Sequence, residues 1–118
     1  MAAPNLLSLT TGTGKSYFAN LTSTANATLL TTGANQVYKI NNITVSNLDG
    51  TAGYDVTMYV ANATVTVPIA YQITVPAKST LVLTDKSSQF YLEESYQLQG
   101  GTSANGKLSV LVSYELLQ

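Results

Sequence analysis

Residues 64–75 read Thr-Val-Thr-Val-Pro-Ile-Ala-Tyr-Gln-Ile-Thr-Val, so Val65, Val67, Ile69, Tyr71, Ile73 and Val75 alternate with mostly small or polar residues. A period of two is that of a β-strand with one face on a core and the other on water. The stripe is therefore expected to point inward. Most of the chain repeats this pattern, and helical periodicity is absent. Short β-prone runs separated by turn residues predict strands near 17–22, 28–32, 37–47, 54–61, 64–75, 80–84, 89–92, 96–99 and 107–116. The expected fold is an all-β, antiparallel two-sheet β-sandwich over 17–118, connected either as a jelly roll or as an immunoglobulin-like Greek key.

Parity assigns the core. Tyr54, Val56, Met58 and Val60 should face inward from one strand, and Leu108, Val110, Val112, Tyr114 and Leu116 from the last. Fully burying each such side chain is worth about 1.5–3 kcal/mol. Tyr54, Tyr71 and Tyr114 are read as core-lining rings. Pro68 cannot donate to a ladder, which places its strand at an edge, at a bulge or in a crossing between sheets. Asp49-Gly50 and Asn105-Gly106 tolerate positive φ and can reverse the chain between strands. The first sixteen residues are small and polar apart from Leu6, Leu7 and Leu9, and are read as an extended N-terminal arm, 1–16.

At 118 residues the chain fits one domain. No apolar run approaches the ~18 residues of a membrane helix, so a soluble protein without a membrane partner is expected. The start Met-Ala-Ala-Pro carries no basic segment followed by an apolar core, so no classical secretory signal is expected. Five lysines, no arginine and six carboxylates leave a net charge of −1. Lys15, Lys39, Lys78, Lys86 and Lys107 are scattered rather than clustered, which argues against nucleic-acid binding.

The chain has no His, Cys or Trp. Nucleophilic catalysis would need a Ser or Thr activated by Lys or by the chain's own amine, and no Ser-X-X-Lys spacing supports it, so no enzyme, no catalytic residue and no cofactor are expected. Gly12-Thr13-Gly14-Lys15-Ser16 imitates the end of a phosphate-binding loop, but the position of the first glycine is Leu9 and no helix follows. Asn20, Asn26, Asn42 and Asn62 begin Asn-X-Thr triplets that arise from the abundance of Thr. Glu93 and Glu94 point to opposite faces if they lie in a strand. A calcium site could draw on Asp49, Asp55 or Asp85, and none is assigned. Tyr brings contact area with one polar handle. The candidate partner-binding residues are accordingly Tyr59 and Tyr91, together with the arm residues Leu6, Leu7 and Leu9 and the outward-parity Leu111 and Leu117.

One further signal lies in the order of segments. Gly33-Ala34-Asn35-Gln36-Val37-Tyr38-Lys39-Ile40 is followed by Ile43-Thr44-Val45-Ser46-Asn47, Ile69-Ala70-Tyr71 and Pro76-Ala77-Lys78-Ser79-Thr80-Leu81-Val82-Leu83. Phe90-Tyr91-Leu92-Glu93-Glu94 and Val110-Leu111-Val112-Ser113-Tyr114-Glu115 complete the series. In this the chain resembles small virion proteins of tailed bacteriophages, particularly of marine and cyanobacterial phages, that decorate or cement a head. The resemblance implies a non-enzymatic structural role in the virion, assembled in the host cytoplasm, with the major capsid protein as partner. Local threefold points on a head lattice make a trimer the expected self-association, and the arm is expected to reach a neighbour by strand addition or Leu docking. A tail, neck or fibre component shares this composition, and a carbohydrate-binding module is the more distant alternative.

Overall fold

Alternation in nine segments becomes nine strands in the computed structural model, which describes residues 11–24, 26–85 and 87–118. They are β1 (Gly12–Asn20), β2 (Ala27–Thr31), β3 (Val37–Asn47), β4 (Tyr54–Ala61), β5 (Thr66–Val75), β6 (Thr80–Thr84), β7 (Phe90–Leu92), β8 (Gln97–Thr102) and β9 (Leu108–Leu117). The bounds of β3, β4 and β6 are those expected. β1 begins at Gly12 rather than near residue 17, because Gly12–Asn20 pairs along its whole length with β9. The segment 12–16 thus belongs to the sheet and not to an arm; residues 1–10, with Leu6, Leu7 and Leu9, lie outside the described residues.

One antiparallel sheet has the order β1-β9-β3-β6, with β7 also pairing to β3, and the other has the order β2-β8-β4-β5. With the short β7 set aside, these two orders are those of a jelly roll, in which successive strands keep switching sheets. Among the described residues, only β4 and β5 are consecutive strands that pair directly with each other as a hairpin. Asp49-Gly50 and Asn105-Gly106 do reverse the chain, Gly106 with φ 77°, but each carries it from one sheet to the other. The β4–β5 turn has no glycine: the Asn62 side-chain oxygen accepts the backbone N–H groups of Thr64 (2.9 Å) and Val65 (2.8 Å).

The two inner faces meet in a core that includes Ile40, Ile43 and Val45 of β3, Val56 and Met58 of β4, and Leu98 of β8. From β9 come Leu108, Val110, Val112 and Tyr114, with Leu116 also buried, as parity requires. Tyr54 and Val60 are partly buried against this cluster. Tyr114 stacks at a tilt on Tyr38, ring centroids 4.9 Å apart.

The inward stripe expected on β5 is not formed. Val65, Val67, Tyr71 and Ile73 are exposed, Ile69 is half-buried, and only Val75 of that set is buried. Two causes combine. β5 is the outer strand of its sheet, and its register slips against β4 twice, between Val56 and Met58 and between Met58 and Tyr59. Each slip adds a residue to β5, so the positions opposite the inward Val60, Met58 and Val56 are Val67, Ala70 and Ile73. Tyr71 is thereby turned out to 58% exposure and does not line the core, while Ala70 is buried. Gln72, at φ 51°, donates its N–H to the Thr57 hydroxyl at 3.1 Å, which pins the first bulge. Pro68 sits at the second, on an edge strand, where the ladder does not need its missing donor.

Candidate functional site

The outer face of the β1 sheet gathers most of the chemistry left on the surface. Residues directly opposite one another in a ladder share a face, so the register itself draws rows across four strands. One row runs Phe18 (β1), Leu111 (β9), Thr44 (β3) and Val82 (β6). Phe18 is 76% exposed with Leu111 exposed beside it, and Val82 is exposed at the far end of the row beyond Thr44. The next row, toward the end of the sheet where β3 finishes and β6 begins, is polar and cross-linked: the Ser109 hydroxyl donates to the Asn20 side-chain Oδ1 at 2.7 Å, and the Ser46 and Thr80 hydroxyls share a hydrogen bond of 3.0 Å.

In the other direction the face turns polar for a geometric reason. β6 pairs with Ile43–Ser46 of β3 and β7 with Tyr38–Ile40, so one flank of β3 is divided between two short strands. β3 also slips in register against β9 between Ile40 and Asn42. The gap becomes a shallow open depression. β3 contributes Lys39, Asn41 and Asn42; β9 contributes Ser113 and Glu115; the connection after β6 contributes Asp85, Ser87 and Gln89. Asn41 donates to Glu115 at 3.1 Å, and Lys39 Nζ lies 3.8 Å from the same carboxylate. Asp85 accepts the Ser87 hydroxyl (2.6 Å) and backbone N–H (2.9 Å), and these bonds hold its carboxyl below its ordinary pKa. Tyr91, 46% exposed, stands on the same face directly opposite Lys39.

Of the residues singled out from the sequence, Tyr91, Leu111 and Leu117 share this outer face. They do not form one patch: Leu111 and Leu117 lie six residues apart on β9, roughly 20 Å, with Ser113 and Glu115 between them on the same side. Leu117 is half-buried over Gly12 and beside Val37. Tyr59 is on the outer face of the opposite sheet, level with Pro68 and Gln99. Phe18 and Val82 were not among the partner-binding candidates, and Tyr71 and Ile73, expected inward, are exposed. Phe18 could have been, since it follows the core-packed Tyr17 and must point the other way.

The carboxylates serve turns. Asp49 accepts the Thr51 N–H (2.8 Å) and hydroxyl (2.9 Å), the Tyr54 hydroxyl (2.9 Å) and the Ala52 N–H (3.3 Å). Led by the Thr51 backbone bond, this cage holds its carboxyl well below the usual carboxylate range. Asp55 accepts the Thr74 hydroxyl at 2.7 Å, and Glu94 accepts the N–H of Asn35. No group of three or more metal-ligating side chains occurs among the described residues.

No family model and no curated protein matches this chain. Among solved structures it is distantly similar to a pentameric capsid protein isolated from metagenomic phage sequences, at 14% identity and a TM-score of 0.42. The match covers 96% of this chain and 65% of the other, so the chain spans just under two thirds of that protein's length.

Proposed function

We propose that this chain is a non-enzymatic structural subunit of a phage virion, most specifically a decoration or cement protein that binds the outer head shell and its own copies. The observation that carries this reading is the pair of separate apolar surfaces at opposite margins of the sandwich. One is Phe18 with Leu111 at the β1 edge; the other is Val65, Val67, Tyr71 and Ile73 along the β5 edge. A subunit with two unlike sticky margins makes heterologous contacts, which propagate around a ring or across a lattice. Little charge opposes close approach of copies, and modest contacts suffice once many subunits are tethered to one shell.

The order of segments that resembles phage head-decorating proteins supports the same role. So does the jelly roll, an architecture shared by many viral capsid domains, although fold alone does not fix function. A trimer is the self-association proposed, from the threefold points of a head lattice. Mass spectrometry of purified virions with stoichiometry tests the reading. High copy number, matching the shell, is expected; a copy number matching a single neck or tail ring would move the protein there, and absence from virions would overturn the role.

A further inference from the structure

The depression on the β1 sheet takes no part in the attachment just proposed, and its chemistry is specific. Among the described residues, the Asn42 amide, the Gln89 amide and the Ser113 hydroxyl have no hydrogen-bond partner within the chain, yet all three line the same hollow. Beside them two carboxylates, Asp85 and Glu115, are held as acceptors, and Lys39 supplies one cation. Each amide offers donors and an acceptor together, and each carboxylate only acceptors.

We infer that this depression is a binding site for a neutral saccharide. A sugar presents adjacent hydroxyls that each donate and accept, which is the pattern that unpaired amides and fixed carboxylates complement. An apolar ligand is disfavoured because polar and charged side chains line the hollow, and an anion because it would face the Asp85 and Glu115 carboxylates. Tyr91, exposed on the same face next to Lys39, supplies an apolar ring on which the C–H face of a pyranose stacks. The hollow is open rather than enclosed, so the affinity of a single copy is expected to be weak. An array of copies raises it by multivalency. The inference stands on the side-chain geometry and does not depend on a place in the virion.

The test is a titration of the isotope-labelled intact chain with methyl glycosides of glucose, galactose, mannose and N-acetylglucosamine, and with maltotriose and chitotriose, read by amide NMR. Inorganic phosphate is titrated in parallel. Saturable shifts centred on Asn42, Gln89, Tyr91 and Ser113 for at least one saccharide are expected. The double variant Asn42→Ala/Gln89→Ala should keep a folded spectrum and lose about tenfold in affinity, and Tyr91→Ala should weaken binding several-fold. Four results would overturn the inference: no saccharide in the panel shifts these amides, the shifts centre elsewhere, the double variant binds as the parent does, or phosphate alone produces them.

Discussion

Asn47 ends β3 in the β1 sheet, but its side chain is spent on the other sheet and on the loop between them. Its Nδ2 donates to the carbonyls of Ala52 and Val75, both at 2.9 Å, and its Oδ1 accepts the Asp49 N–H at 2.8 Å. The residue is buried, as is the bond to Val75. Replacing it by alanine removes all three bonds and leaves the Val75 carbonyl short of a partner where water cannot readily substitute. A buried group left unpaired costs about 1–3 kcal/mol, and each loop bond that water can replace about 0.5–1. The sum for Asn47→Ala is about 2–5 kcal/mol. For a chain of this size roughly 4 °C of Tm accompanies each kcal/mol, so a drop of roughly 8–20 °C is expected. Urea unfolding followed by tyrosine fluorescence gives the free energy, with Asn42→Ala on the same strand as control. The control should fall within about 0.5 kcal/mol of the parent, since its side chain makes no bond among the described residues. If Asn47→Ala costs no more than the control, the amide does not tie the sheets and the account of this corner is wrong.

Gly100 faces Met58 across the β8–β4 ladder, and a Cβ there would lie 2.7 Å from Met58 Sδ and 3.1 Å from the Thr57 carbonyl. Gly100→Ala should cost about 1–3 kcal/mol by overpacking, and Gly100→Ala/Met58→Ala less than the sum of the single changes, as a double-mutant cycle in urea would show. The Asp49 carboxyl is held below its unfolded value, so its stabilisation is complete above about pH 5 and is lost as pH falls through the ordinary carboxylate range toward its folded pKa. The Tm gap between the parent and Asp49→Asn should accordingly be widest near neutrality and narrow in acid; a gap constant across pH would refute this. Phe18→Ser should leave unfolding free energy within about 0.5 kcal/mol of the parent, because the ring is exposed, while lowering occupancy on purified particles. Full occupancy by the variant would remove the β1 margin from the docking account.

Much of the fold could be read from periodicity. β9 obeyed it residue by residue because it lies between β1 and β3, where both ladders hold it flat and its inner face meets the opposite sheet. β5 broke it because an edge strand is free to bulge: two extra residues turned a period of two into a period of three, and no propensity marks Gln72 as the hinge. Turn chemistry was legible as reversal but not as destination, since Asp49-Gly50 serves a crossing between sheets as well as it would a hairpin. The β4–β5 hairpin was hidden because Asn62 makes its turn by side-chain acceptance rather than by glycine. The depression was illegible for a different reason. Lys39 and Glu115 become neighbours only through the β3–β9 register, and the gap beside Asn42 exists only because β6 and β7 divide one flank of β3.

The place of β9 also dictates when this chain can fold. Its partners are β1, 89 to 105 positions earlier in the chain (Asn20↔Ser109 to Gly12↔Leu117), and β3, so neither of them is flanked on that side until residues 108–117 have left the ribosome. Contacts this remote in sequence make for slow closure. Until it happens, the nascent chain carries two open strand margins, and crowded synthesis or a lost C-terminal strand will route it toward aggregation rather than toward a partly built sandwich.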